Sequence, residues 1–389
     1  MILCEQTPKT YKAYDFSLFG VRIEVACFHP HGKLAEYHAM LHVSGSSAYE
    51  IQLTNLHHAY RELLAKEFPA GTIPVLKHYF LSDAANQITT LKKELETFSP
   101  CAVSVVQQSL LDESKVALWV YFMSDVTVSQ EELFTVSHNG YRHHWLAGEG
   151  IPVGDSESQT RELLENYEKR LGNVCGKIAD HCIRTWFFVQ NIDVNYDGVV
   201  KARRENFAEQ GLTKQTHYIA STGIEGRDAD PAIQVLMDAY AVSGLTKQQI
   251  KYLYALTYLN PTYEYGVTFE RGVSVEYGDR KHLYISGTAS IDHKGMVMYE
   301  GDVVAQTRRV WENVEKLLEE GGAAFCDVMQ MIVYLRDVSD YSVVKQLFEE
   351  RFPEIPKQYV RASVCRPSWL IEMECMAVKA NHNNRFSNL

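Results

Sequence analysis

The chain has 389 residues, 46% hydrophobic and 22% charged, with a formal net charge of −11. At roughly 100–200 residues per domain that allows about two to four globular domains, large enough to fold without disulfide or metal staples. An acidic surface repels phosphate backbones, which argues against a nucleic-acid partner, and no uncharged apolar run approaches the ~20 residues of a membrane span.

The eight cysteines, at 4, 27, 101, 175, 182, 326, 365 and 375, form no CxxC. Cys27, Cys326 and Cys375 sit in apolar runs and read as core, a usage that fits a reducing cytoplasm. The opening MILCEQTPKTYKAYDF lacks the basic-then-apolar order of a signal peptide.

In chain order, the first unit is predicted over 1–125. Leu56, Tyr60, Leu63 and Leu64 make the i, i+4, i+7, i+8 stripe of an amphipathic helix, and VALWVYFM (116–123) reads as a closing strand. The second unit, 126–243, holds a helix around QTRELLENYEKRL (159–171), a strand in HCIRTWFFV (181–189), a helix in YDGVVKARRENF (196–207) and a closing strand at DAYAV (238–242). The stretch 244–265 is predicted as a linker helix, broken at Asn260-Pro261. The third unit, 266–380, begins with a hairpin turning at Gly278-Asp279. A helix follows that is capped near Asp302, then the strand MQMIVYLRD (329–337), a helix from Ser339 or Asp340, and two closing strands ending at ECMAV (374–378). The polar tail 381–389 is expected to fray.

These units are copies. Gln159-Thr160-Arg161 recurs as Gln306-Thr307-Arg308, and at that offset nine of the 22 residues from 159 to 180 are identical. Both copies carry Val-Val-Lys, at 199–201 and 343–345. In the first unit the match is one of pattern: Leu56, Tyr60, Leu63 and Leu64 fall on Val310, Val314, Leu317 and Leu318, and Phe80-Leu81 on Tyr334-Leu335. Helices on one sheet face leave the other bare, so three units in one chain are expected to pack their sheets around a pseudo-threefold axis as a monomer.

A third-unit hairpin turning at 366–369 would set Cys365 opposite Leu370, Ser363 opposite Glu372 and Arg361 opposite Glu374. Period two then places Arg361, Ser363, Cys365, Glu372 and Glu374 on one face; Ser286, in the second strand of the unit's leading hairpin, joins the candidate set. Such a cluster is costly to bury unless its groups pair. An ion pair stapling the interior is the bland alternative, above all for Glu374. At the positions of Arg361, Glu372 and Ser286 the second copy carries Ile219, Leu236 and Ala147, and the first copy has no arginine or lysine in 101–110. One polar set among three copies fits one working site better than a structural staple.

The third unit resembles the RidA/YjgF family through LYISGTASI (283–291), GDVVAQTRRVWENVEKLLEEGG (301–322), VYLRDVSDYSVV (333–344) and RASVCRPSWLIEMECMAV (361–378). It is also similar to the chorismatases in SGTASI with His293 and Gly301-Asp302, in CRPSWLIEMEC (365–375), and in the second unit's IRTWFFVQNID (183–193), RRENFAEQG (203–211) and ASTGIEGR (220–227). The resemblance implies chorismate-mutase-like α/β units imitating a trimer. It also implies that Arg361 holds a substrate carboxylate and that Glu372 protonates the enolpyruvyl methylene of a chorismate-like substrate, releasing pyruvate. Two other readings stay open: a 2-imino acid deaminase using the same arginine, and a non-catalytic ligand-binding scaffold. A second carboxylate would need a second cation, for which Arg203, Arg204 and Arg227 are candidates.

No cofactor is expected. The histidine pairs His29/His31, His57/His58 and His143/His144 lack the third ligand a zinc site needs. GEGIPVG (148–154) has the wrong spacing for a dinucleotide loop and reads as a turn. Cys365 reads as a small hydrophobe at a pocket wall rather than a nucleophile.

Overall fold

The computed structural model describes residues 8–174 and 176–389. The first unit runs β1 (Lys9–Phe16), β2 (Val21–Phe28), β3 (Glu36–Val43), α1 (Tyr49–Lys66), β4 (Ile73–Leu81), α2 (Ala84–Leu95), β5 (Ala102–Gln107) and β6 (Val116–Met123). The second runs β7 (Thr127–Gln130), β8 (Phe134–His138), β9 (Tyr141–Gly150), α3 (Ser156–Val174), the short α4 (Ile178–His181), β10 (Cys182–Val189), α5 (Ile192–Glu209), β11 (Ala220–Glu225) and β12 (Val235–Ser243). The third runs β13 (Ile250–Leu253), β14 (Gly272–Glu276), β15 (Arg280–Ala289), α6 (Val303–Glu320), β16 (Val328–Leu335), α7 (Tyr341–Arg351), β17 (Lys357–Arg361) and β18 (Ile371–Ala380).

Among the described residues these strands form three six-stranded sheets with one shared order, β1-β2-β3-β6-β4-β5 and its counterparts. The pairs β4–β5, β10–β11 and β16–β17 are parallel and the rest antiparallel. The fold is therefore three tandem α/β units. Helix α6 shows how the sequence builds one. Asp302 accepts from Ala305 N at 2.9 Å and caps it. Val310, Val314, Leu317 and Leu318 face the sheet fully buried, each contributing about 1.5–3 kcal/mol by leaving water.

Three expectations are corrected. The stretch 244–265 is not a linker helix. A Thr246–Gln249 capping box closes one 3-10 turn, and Ile250–Leu253 then forms the edge strand β13 against β14. Lys251 points to solvent between half-buried Ile250 and Tyr252, a period-two pattern. Nor do the last two strands form a hairpin. Strand β17 follows β16 through α7, a crossover that demands a parallel neighbour, so β16 lies between β17 and β18. Arg361 therefore sits opposite Leu335, and Glu372 opposite Tyr334 on the other side of β16. By this register the counterparts of Arg361 are Gln107 and Glu225, not Ile219, while Leu236 remains the counterpart of Glu372. The tail, third, is docked rather than frayed. Gly278 N donates to Ser387 O at 2.8 Å, and Leu389 N to Asp279 Oδ1 at 3.0 Å, with Leu389 buried. A Cβ at Gly278 would lie 2.5 Å from Phe386 O.

Each sheet packs its helices on one face, and the other faces meet in a shared core holding Trp119, Trp145, Trp186, Tyr240 and Tyr284. Polar contacts cross each boundary. His78 Nδ1 lies 3.8 Å from Asp238, Trp186 Nε1 donates to Glu374 at 2.9 Å, and Arg280 pairs with the fully buried Glu36. The first two contacts join equivalent strand positions in successive units. No helix among the described residues is long and apolar enough to cross a membrane.

Candidate active site

A cavity of about 400 Å³ opens between the second and third units. Its floor on the third-unit side is Glu372, carried by β18 and buried. The carboxyl lies against the backbone of Gly287, where a methyl group would overlap Glu372 Oε1. Among the described residues no hydrogen bond holds this carboxyl. Burial first, and the neighbouring Glu374 second, push it up to about 8, while Arg271 and Arg184 act in the opposite direction. Glu372 is thus a neutral acid at pH 7.

Three guanidinium groups line the same cavity. Arg271, just before β14, is buried and anchored on Asn260, donating to its backbone O at 3.1 Å and its Oδ1 at 3.1 Å. Arg366 lies 4.9 Å from the ring centres of both Tyr265 and Trp369. Arg203, from α5, is 1% exposed; Nη1 makes one long contact to Ser221 Oγ at 3.4 Å, and Nε and Nη2 have no hydrogen-bond partner among the described residues. Arg203 lies on the cavity wall, and a buried guanidinium with unpartnered donors suits an anion. Gly223 leaves room for the Tyr196 ring on this wall, since a Cβ there would lie 2.8 Å from the ring.

The structure divides the expected site set. Glu372 and Cys365 line the cavity. The Cys365 thiol is pushed up to about 12 by burial and then by Glu372, so it remains a thiol at the wall. Arg361 does not reach the cavity: its half-exposed side chain pairs with Glu225 at 2.9 Å. That misassignment follows from the hairpin that does not form. Ser363 N also donates to Glu225, at 3.0 Å. Ser286 lies behind the wall, donating to Glu270 O at 2.6 Å and accepting from Ser221 N at 3.0 Å. Glu374 is in the core, held by Arg184 at 2.8 Å. Of the three second-unit arginines, Arg203 faces the cavity, while Arg204 and Arg227 are exposed. Sequence reasoning missed Arg271 and Arg366. The second was visible inside CRPSWLIEMEC; the first gave no local signal, because Asn260 and Tyr265 define its place.

The histidines have other roles. His57 meets the Tyr79 hydroxyl at 3.0 Å and His143 the Tyr240 hydroxyl at 2.7 Å, and burial pushes both down to about 3. Among the described residues no three His, Cys, Asp or Glu side chains are grouped to hold a metal. The first half of GEGIPVG is the end of β9.

Residues 273–379 match the protein family described as Endoribonuclease L-PSP. A RutC family protein of Pyrococcus abyssi is 36% identical over 99 residues, which cover 25% of this chain and 78% of that protein. The chain belongs to the RidA superfamily. The 3-aminoacrylate deaminase RutC of Acinetobacter baylyi is also 36% identical, over 97 residues, 24% of this chain and 77% of that protein. The family match, residues 273–379, lies in the third unit. A solved chorismatase structure extends the likeness in fold: it covers 80% of this chain and 96% of its own, with a TM-score of 0.62 and 17% identity.

Proposed function

We propose that the chain is an enzyme of small carboxylates in which Glu372 protonates an electron-rich carbon–carbon double bond, and that the reaction is chorismatase-like cleavage of an enolpyruvyl ether. The observation that carries this reading is the Glu372 carboxyl, pushed up to about 8 in a cavity of about 400 Å³ faced by Arg203, Arg271 and Arg366. A pocket of that size suits a drug-sized molecule, and three cations beside one neutral acid suit a dianion.

In this scheme Arg203 takes one carboxylate, and Arg271 with Arg366 takes the other. Glu372 gives its proton to the methylene carbon, and the π pair forms the new C–H bond. The ether-bearing carbon becomes an oxocarbenium ion. Water adds there and its proton returns to Glu372. The hemiketal then collapses, its hydroxyl proton passing to the departing ether oxygen, to give pyruvate and the free alcohol. Proton transfer of this kind contributes about 10²–10⁴-fold.

One observation favours a second reading. The 36% identity over 97 residues to a protein named 3-aminoacrylate deaminase points to an enamine carboxylate, which takes a proton at carbon in the same way and then loses ammonia to water. Incubation with chorismate while following pyruvate, and with aminoacrylate or a 2-imino acid while following ammonia, separates the two. Release of neither product, with an aromatic dicarboxylate still bound, would leave a ligand-binding scaffold. We also propose that the three units stand in for three subunits around a pseudo-threefold axis. The support is the repeated contact His78–Asp238 and Trp186–Glu374, with Arg280–Glu36 joining the third unit to the first; a solution mass near one chain is the expected result.

A further inference from the structure

Behind the cavity floor lies a buried polar assembly that the reaction scheme leaves unused. Glu374 stands two residues from Glu372 on the same face of β18, about 7 Å along the strand. Its Oε2 accepts from Arg184 Nη2 at 2.8 Å and from the Thr222 hydroxyl, and its Oε1 accepts from Trp186 Nε1 at 2.9 Å. All three donors belong to the second unit. Thr222 Oγ1 also accepts from Arg184 at 2.5 Å and from Gly287 N at 2.9 Å, which fills the hydroxyl's hydrogen-bonding capacity of one donor and two acceptor sites. A chain of hydrogen bonds therefore runs from Arg184 and Glu374 through Thr222 to Gly287, against whose backbone the Glu372 carboxyl lies. The counterparts of Glu374 are Asp238 and Trp119. Asp238 faces His78 at 3.8 Å rather than an arginine, and its strand carries Leu236 where a second carboxylate would stand.

We propose that Glu374 is a positioning residue for the Glu372 acid: tied to the second unit by Arg184, Thr222 and Trp186, it fixes the Gly287 floor and holds a second carboxylate beside that acid. The inference rests on the reading of Glu372 as a proton donor and extends it, because the acid then depends on docking between the two units. Arg184 pairs with Glu374 at 2.8 Å in the core, where a carboxylate without a partner is costly to bury. The other groups facing Glu372 are Arg271, Arg184, Tyr196, Tyr334 and Cys365, with Arg203, Arg366 and Asp197 on the same cavity. Among them Glu374 is the neighbour whose charge raises the Glu372 carboxyl, and the arginines oppose it.

The test is the titration of Glu372 itself in the full chain, followed as a carboxyl band in infrared difference spectra and assigned by its absence in Glu372→Gln. Glu374→Gln keeps the shape and an acceptor for Trp186 while removing the charge. The expected result is a Glu372 midpoint lower by at least about one pH unit, a tenfold change in its acid-to-base ratio at fixed pH. An unmoved midpoint in the folded variant overturns the proposal. Glu374→Gln also leaves Arg184 buried without its partner, which can unfold the chain, so Arg184→Met with Glu374→Gln is the second variant. There the midpoint should move in the same direction by less; an unmoved or raised midpoint overturns the proposal equally. The titration needs no substrate. A shifted midpoint without pyruvate or ammonia release would sink the catalytic reading and leave the electrostatic role standing.

Discussion

Replacing Arg203 by methionine should make the free protein more stable and its ligand binding weaker. The guanidinium is 1% exposed and has no carboxylate partner among the described residues. Nε and Nη2 are unpartnered, and each such buried donor costs about 1–3 kcal/mol. What the side chain gives back is small. The Ser221 contact is long, at 3.4 Å, and the Phe187 and Phe269 ring centres lie 5.7 and 5.8 Å away, near the limit of a useful cation–π contact. Methionine fills a similar volume without stranded donors. The net gain expected from denaturant melts of the free protein is about 1–3 kcal/mol. A carboxylate on a buried guanidinium is worth about 1.5–3 kcal/mol, so KM or Kd should rise about 10- to 150-fold. Melts with and without chorismate measure both effects: ligand should stabilise the parent and leave the variant nearly unmoved. A variant that melts earlier than the parent yet binds as tightly would refute the reading of Arg203 as an anion anchor.

Gly287→Ala would push the Glu372 carboxyl off its floor; turnover should fall about 100-fold, as for a misplaced catalytic group, with little change in KM. Arg361→Ala, which breaks only the half-exposed pair with Glu225, should change KM less than about threefold and stability by about 1 kcal/mol or less. Arg271→Ala, which removes a buried cavity cation, should raise KM at least about tenfold by steady-state kinetics. Glu372 binds its proton more tightly folded than unfolded, from about 4.5 up to about 8. Its stabilising contribution is therefore full below pH 4.5 and is lost as pH rises to 8, at up to ~1.4 kcal/mol per pH unit. Glu372→Gln lacks that loss, so its melting advantage over the parent should grow from pH 5 to pH 8; an advantage independent of pH would contradict the raised carboxyl.

The tandem units were legible because duplication left Gln-Thr-Arg, Glu-Asn and Glu-Lys in matching helices, whose buried faces repeat in α3 and α6. The leading strands were not. Strand β7 is a four-residue edge with mostly exposed side chains, and β13 is as short, so neither carries an apolar alternation strong enough to stand out from a loop. The paired last strands failed for a non-local reason: β16, which precedes both and is joined to β17 through α7, inserts between β17 and β18. That insertion moved Arg361 out of the site while Glu372 stayed in it. Glu372 was legible from its own strand, since two carboxylates on one face of a buried strand are costly unless the site uses them. Arg271 takes its place from Asn260, Tyr265 and Phe269, a contact set assembled by the turn between β13 and β14 that sequence reading took for helix.

The most direct test of Glu372 as the acid is the pH dependence of kcat/KM for pyruvate release from chorismate. The parent should hold its rate at neutral pH and lose it along an alkaline limb near pH 8, where the carboxyl gives up its proton, and Glu372→Gln should lose about 10²–10⁴-fold of rate across the profile. A rate that climbs through pH 8, or a glutamine variant as fast as the parent, would contradict the account.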